Sequence, residues 1–131
     1  MFLRPLILIF IFCIHSYALS IETIRSWYQE GEYQKICSNS VGAIYQEHRD
    51  NEEFLNMYAH ACLESDMINR MALPIIKLID TPQTRANAVY YTTVLYQKKL
   101  LYHALIDGID ISHMTLPKTS YIISTIFHKL E

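Results

Sequence analysis

Apolar residues recur at intervals of three and four along nearly all of this chain, a spacing that admits helices and little else. From Ile21 the stripe runs Ile21, Ile24, Trp27 and Tyr28, and it stops near Gly31. Tyr33, Ile36, Cys37, Val41 and Ile44 follow, then Phe54, Met57, Tyr58, Ala61 and Cys62, then Met67, Met71, Ile75 and Leu78. A helix gathers such residues on one face, which turns to a core while polar residues meet water. Turn-forming residues fall between the stripes, at Glu30-Gly31, Arg49-Asp50-Asn51, Ser65-Asp66 and Asp80-Thr81-Pro82. Asp50 or Asn51 is expected to cap the third helix and Asp66 the fourth, by accepting from the free N–H groups of a first turn. Thr81-Pro82 opens a fifth, with proline at the first helical position, running to about Leu95 or Leu100. Pro74 stands inside a helical stripe and should kink or split it. Asp107-Gly108 marks a turn, and a last helix is expected from about Pro117 to Leu130. Three Gly and four Pro in 131 residues are too few for the turns of a β-sandwich or barrel. The fold class is therefore all-α, six to seven helices in one domain over residues 19–131.

Residues 1–18 read as an export signal. Arg4 supplies a positive start, Leu6 to Ile14 is an unbroken apolar run of nine, and Ser16 and Ala18 give a small-x-small end. That order is the secretory pattern. The run would span roughly 14 Å as a helix, about half of a ~30 Å hydrocarbon core, so a signal cleaved after Ala18 or Ser20 is expected over an anchor. Phe12 precedes Cys13, where a lipoprotein signal needs a small residue. Loss of Arg4 leaves 10 basic and 13 acidic groups, a net −3. No Asn-x-Ser/Thr sequon occurs, which favours a bacterial periplasm over a eukaryotic secretory route. The expected location is periplasmic or secreted, with membrane contact only during export.

Sliding the chain by 34 residues superposes Tyr33 on Met67, Cys37 on Met71, Val41 on Ile75 and Ile44 on Leu78. Gly31-Glu32-Tyr33-Gln34-Lys35-Ile36 carries Gly-x-Tyr at the junction of two helices, and Pro82 stands close to where a proline closes the repeat in a known family. In these residues, over about Ile21 to Ile109, the chain resembles the tetratricopeptide-repeat family. Ser65 stands where that family has a turn glycine. The resemblance implies a short right-handed solenoid of antiparallel helix pairs, with a groove between neighbours that suits a peptide or protein partner. Another antiparallel helical bundle with short turns would give a similar period.

Beyond the signal the chain keeps Cys37 and Cys62. In an exported protein an even pair invites a disulfide. Cys37 lies as far before the Arg49-Asp50 turn as Cys62 lies after it, so a hairpin there places both at one height. Two separate buried thiols are the alternative.

Little else carries chemistry. The six His are scattered, and His60-Ala61-Cys62 points its two ligands apart on a helix, so no metal site is expected. Asp107-Gly108-Ile109-Asp110-Ile111-Ser112 lacks the closing Glu of a calcium loop. No phosphate-cradling loop or nucleophile elbow occurs, and no cofactor or catalytic residue is expected. A net charge of −2 without a basic stripe argues against nucleic acid. The ten Tyr are the remaining signal, since Tyr buries a large ring and keeps a polar tip at interfaces. Tyr58, Tyr91 and Tyr96 are the expected partner contacts of an exported, non-catalytic interaction module. A small-molecule or lipid carrier with a Met- and Tyr-lined cavity is one alternative. A structural subunit of an envelope complex, exposing Tyr121, Ile122, Ile126 and Phe127, is another.

Overall fold

A computed structural model describes residues 19–130. The expected signal over residues 1–18, with its cleavage point after Ala18, lies outside them. Within the described residues the chain is helical and has no strand. Its helices are α1 (Ile21–Gln29), α2 (Tyr33–Ile36), α3 (Gly42–Glu47), α4 (Glu52–Glu64), α5 (Ala72–Ile75), α6 (Pro82–Leu105) and α7 (Ile122–Phe127). Single 3₁₀ turns, Asn39–Val41 and Ile68–Met71, lead into α3 and α5.

The three longer helices begin on side-chain caps. Ser20 accepts from Thr23 N–H at the head of α1, and Asn51 from Phe54 N–H at the head of α4. At α6 Thr81 and Thr84 cap each other reciprocally, with Pro82 at the first position where no N–H is needed. α1 and α4 also end alike. Gly31 and Asp66 take left-handed backbone, φ 73° and 58°. The next N–H folds back onto the helix, Glu32 to the Trp27 carbonyl and Met67 to the Cys62 carbonyl, each at 2.8 Å. Asp66 therefore terminates α4 and does not cap the helix after it. Its carboxylate is free of that duty and accepts from the Tyr121 hydroxyl. The caps Ser20, Asn51 and Thr81 recur at shorter intervals than 34 residues, while Gly31 and Asp66 lie slightly further apart than that.

Four of the expected helices differ in their bounds: α6 runs on to Leu105, past the expected end at Leu95 or Leu100, and the stripe from Met67 to Leu78 is helical only over Ile68–Met71 and Ala72–Ile75. The stripe from Tyr33 to Ile44 is divided, because Cys37 and Ser38 leave helical backbone between α2 and the 3₁₀ turn. Ser38 Oγ donates to the Lys35 carbonyl and meets Ser40 Oγ, both at 2.6 Å, and such local bonds compete with the helix ladder. The last helix shrinks to Ile122–Phe127. Ahead of it Ser124 Oγ accepts from Thr119 N–H at 2.9 Å, which holds residues 117–121 in an irregular path. Pro74 does not kink a long helix. It sits within the first turn of α5, where its missing N–H has no partner to lose.

α4 is the centre. It packs on α1, α2, α5, α6 and the 3₁₀ turn at Ile68–Met71. Accordingly Phe54, Leu55, Met57, Ala59, Ala61, Cys62 and Leu63 are all buried, on more than one face of the helix. Phe54 and Leu55, with at most 1 % of their surface exposed, each contribute about 1.5–3 kcal/mol by leaving water. Ile24, Ile36, Val41, Met71, Leu78 and Val94 close around them. A smaller cluster of Leu100, Leu101, Ile111 and Phe127 joins the far half of α6 to α7.

Cys37 and Cys62 are bonded, with α-carbons 5.0 Å apart and both side chains fully buried. The bridge ties the end of α2 to α4. Of the two arrangements open from sequence, the disulfide is the one found.

Candidate functional site

The segment from Ser38 to Gln46 and the segment from Asn69 to Lys77 stand side by side, with Tyr58 of α4 between them. They enclose a cleft of about 400 Å³ lined by Ser38, Asn39, Val41, Gly42, Tyr45, Gln46, Tyr58, Asn69, Arg70 and Leu73. It adjoins a second hollow of about 280 Å³ lined by Tyr45, Gln46, Arg49, Leu73, Ile76 and Lys77. Tyr45, Gln46 and Leu73 belong to both, so the two form one groove.

Its floor is aromatic. Tyr45 and Tyr58 meet edge to face, centroids 4.9 Å apart, and each also packs on the fully buried Phe54, at 5.9 and 6.1 Å. Rings braced in this way offer contact area with little side-chain freedom left to lose on binding. Burial, then the neighbouring Tyr58, raises the Tyr45 hydroxyl above its ordinary pKa, so it stays protonated at neutral pH. One wall is aliphatic and faces water, with Leu73 70 % and Ile76 72 % exposed. The local reason is α5's brevity, which leaves only Met71, Pro74 and Leu78 of this stretch fully turned inward.

Both ends of the groove are tied. At one, Arg70 donates from Nη1 to the Cys37 carbonyl at 3.3 Å and from Nη2 to Asn39 Oδ1 at 2.7 Å. At the other, Lys77 donates to the Arg49 carbonyl at 2.8 Å and to the Asp50 carboxylate. That bond, reinforced by Arg49, holds the Asp50 carboxyl below its ordinary pKa. The walls are fixed relative to each other across more than 25 residues of sequence.

A larger cleft, about 690 Å³, lies between the C-terminal half of α1 and the heads of α4 and α6 and contains Arg25, Glu52 and Glu53. Its charged groups are already engaged. Arg25 holds Glu53 through two bonds of 2.9 Å, and Glu52 accepts from Asp80 N–H at 2.8 Å.

The expected partner contacts are not brought together. Tyr58 lines the groove, whereas Tyr91 is 4 % exposed in the core and Tyr96 is 46 % exposed on α6. Neither lines the groove. Tyr91 faces inward with the core cluster, on the helix α6 that packs against α4 and α5, and burial raises its hydroxyl pKa strongly. Tyr45, Arg70, Leu73 and Ile76 were missed. The groove's other aromatic, Tyr45, follows Ile44 in the stripe pattern, and its pairing with Tyr58 bridges two elements. Of the C-terminal apolar residues, Phe127 is fully buried, Tyr121 is packed against the core, and Ile122 and Ile126 are exposed.

His60 sits between Tyr28 and Tyr33, accepting or donating at 3.1 Å to the Tyr28 hydroxyl. Among the described residues no three His, Cys, Asp or Glu are grouped to hold a metal, and no helix is long and apolar enough to cross a membrane. Compared with protein-family models, with curated proteins and with solved structures, the chain finds no match.

Proposed function

We propose that this is an exported, non-catalytic interaction module that takes a peptide or protein segment into the groove between α3 and α5. One observation carries the reading: braced aromatic rings, an exposed aliphatic wall and tied ends occur in a single cleft. Leu73 and Ile76 gain nothing for folding by lying in water, and their burial by a partner would remove apolar surface that the fold leaves exposed. The disulfide supports export, because such bonds persist in oxidising compartments. With both sulfurs in that bond, neither cysteine is a thiolate nucleophile.

The reading is tested by affinity capture from cells with the tagged protein, the Tyr58→Ala/Leu73→Ala double variant and a Val89→Ala control. A reproducible partner lost only with the double variant is the expected result. Capture that survives the double variant would place the contact elsewhere. The exposed Ile122 and Ile126, with Leu105 and Ile106 also in water, favour the structural-subunit reading as the second choice.

A further inference from the structure

Resting on the groove reading, we propose that the segment it takes is acidic, carrying Asp or Glu beside apolar residues. The chain as a whole is net negative, yet the groove reverses that sign. Arg70 stands at one end, Arg49 and Lys77 at the other, and no Asp or Glu lines either part. Arg49 and Lys77 share the single Asp50 carboxylate just outside, so half of their charge is offset. Arg70 differs. Its fork is oriented by two neutral acceptors, the Cys37 carbonyl and Asn39, and among the described residues no carboxylate pairs with it.

A guanidinium carries five N–H donors in a plane, and two bonds leave the others for a ligand. A carboxylate is the complementary acceptor, because its two oxygens take parallel N–H bonds. The orientation of Arg70 is set before binding, which reduces the entropy lost when a ligand pairs with it. Apolar side chains of the same segment then lie on Tyr45, Tyr58 and Leu73. A phosphate or an anionic lipid headgroup could also pair with Arg70. An anionic bilayer, however, is held by clusters of several Lys and Arg, whereas this groove has one cation without a carboxylate partner in a chain of net negative charge.

The test is fluorescence anisotropy on the purified, oxidised protein with three labelled peptides. In the first, glutamate alternates with leucine and tyrosine; the others carry glutamine or lysine in place of glutamate. Vesicles of phosphatidylglycerol form a fourth arm. The glutamate peptide is expected to bind at least about tenfold more tightly than the glutamine peptide, and added salt should shrink that ratio. Arg70→Gln should abolish the preference, while Leu73→Ala should weaken both peptides alike. The ratio on the unaltered protein needs no variant, so it decides the matter even where Arg70→Gln unfolds. Equal binding of glutamate and glutamine peptides, both weakened by Leu73→Ala, would overturn the acidic partner and leave the groove reading standing. Binding indifferent to Leu73→Ala, or none at all, would overturn both. Vesicle binding lost with Arg70→Gln and no peptide binding would replace the acidic peptide by a membrane.

Discussion

Replacing both Cys37 and Cys62 by alanine removes the covalent tie between the end of α2 and α4. The bridge spans 25 residues of sequence. Loop-closure entropy for a ring of that size stabilises the native state by about 3.5 kcal/mol at 25 °C. The two vacated sulfur sites, both fully buried, add to the loss because the core is close-packed there. A domain of this size holds roughly 5–15 kcal/mol in total, so the variant should remain folded but with a narrow margin. At about 4 °C per kcal/mol for a chain of this length, the melting temperature should fall by about 14 °C. Circular dichroism melts of the oxidised protein and the double variant measure this, with urea midpoints as a second scale. Hydrogen exchange should locate the damage, with residues 33–41 opening first because α2 loses its anchor on α4. A melting temperature within about 3 °C of the parent would refute the argument. It would mean that α2 is held by Ile36 and its neighbours without the bridge.

Three further outcomes follow from the same contacts. Asn51→Ala removes the side-chain oxygen that accepts from Phe54 N–H at the head of the central helix, and should cost about 1 kcal/mol in urea unfolding. At Asp66, alanine should be worse than glycine by about 1 kcal/mol, since the backbone there has φ 58° and both variants equally lose the Tyr121 bond. Equal stabilities would contradict the backbone explanation. Acid should weaken the Arg25–Glu53 tie between α1 and α4. The Arg25 hydrogen bonds hold the Glu53 carboxyl below its ordinary value of 4.5, so its contribution is fully present above that pH. It is lost as pH falls through the lower folded value. Glu53→Gln should therefore flatten the acid limb of a stability–pH curve and leave the curve between pH 6 and 8 unchanged in shape.

Local chemistry made much of the architecture readable in advance. Apolar spacing marks α1 and α4, and Asn51 and Thr81-Pro82 begin α4 and α6 where a capping oxygen or a proline belongs. The cysteine pair is readable too, because equal distance from one turn is a geometric condition on two positions. What sequence pattern missed depends on residues far apart. Cys37 leaves helical backbone partly through local serine bonds, but its carbonyl is received by Arg70, a residue that no pattern links to it. Asp66 resembles an N-cap and is used as the left-handed residue that ends α4, with Tyr121 from the far end of the chain on its carboxylate. Tyr90 and Tyr91 are adjacent and chemically alike. Which of them enters the core is decided by how α6 lies on α4 and α5. The groove was hidden for the same reason, since Tyr45, Tyr58 and Arg70 come from three different elements.

The most direct test of the groove is to place a photo-crosslinking residue at Leu73, at Val89 and at Ile122 in separate copies expressed in cells. All three positions are well exposed, so each is free to report a neighbour. The groove account predicts one discrete adduct from Leu73, absent from the Val89 copy and diminished by the Tyr58→Ala change in the same chain. An adduct formed from Ile122 and not from Leu73 would contradict it, and would assign the contact surface to the C-terminal apolar face.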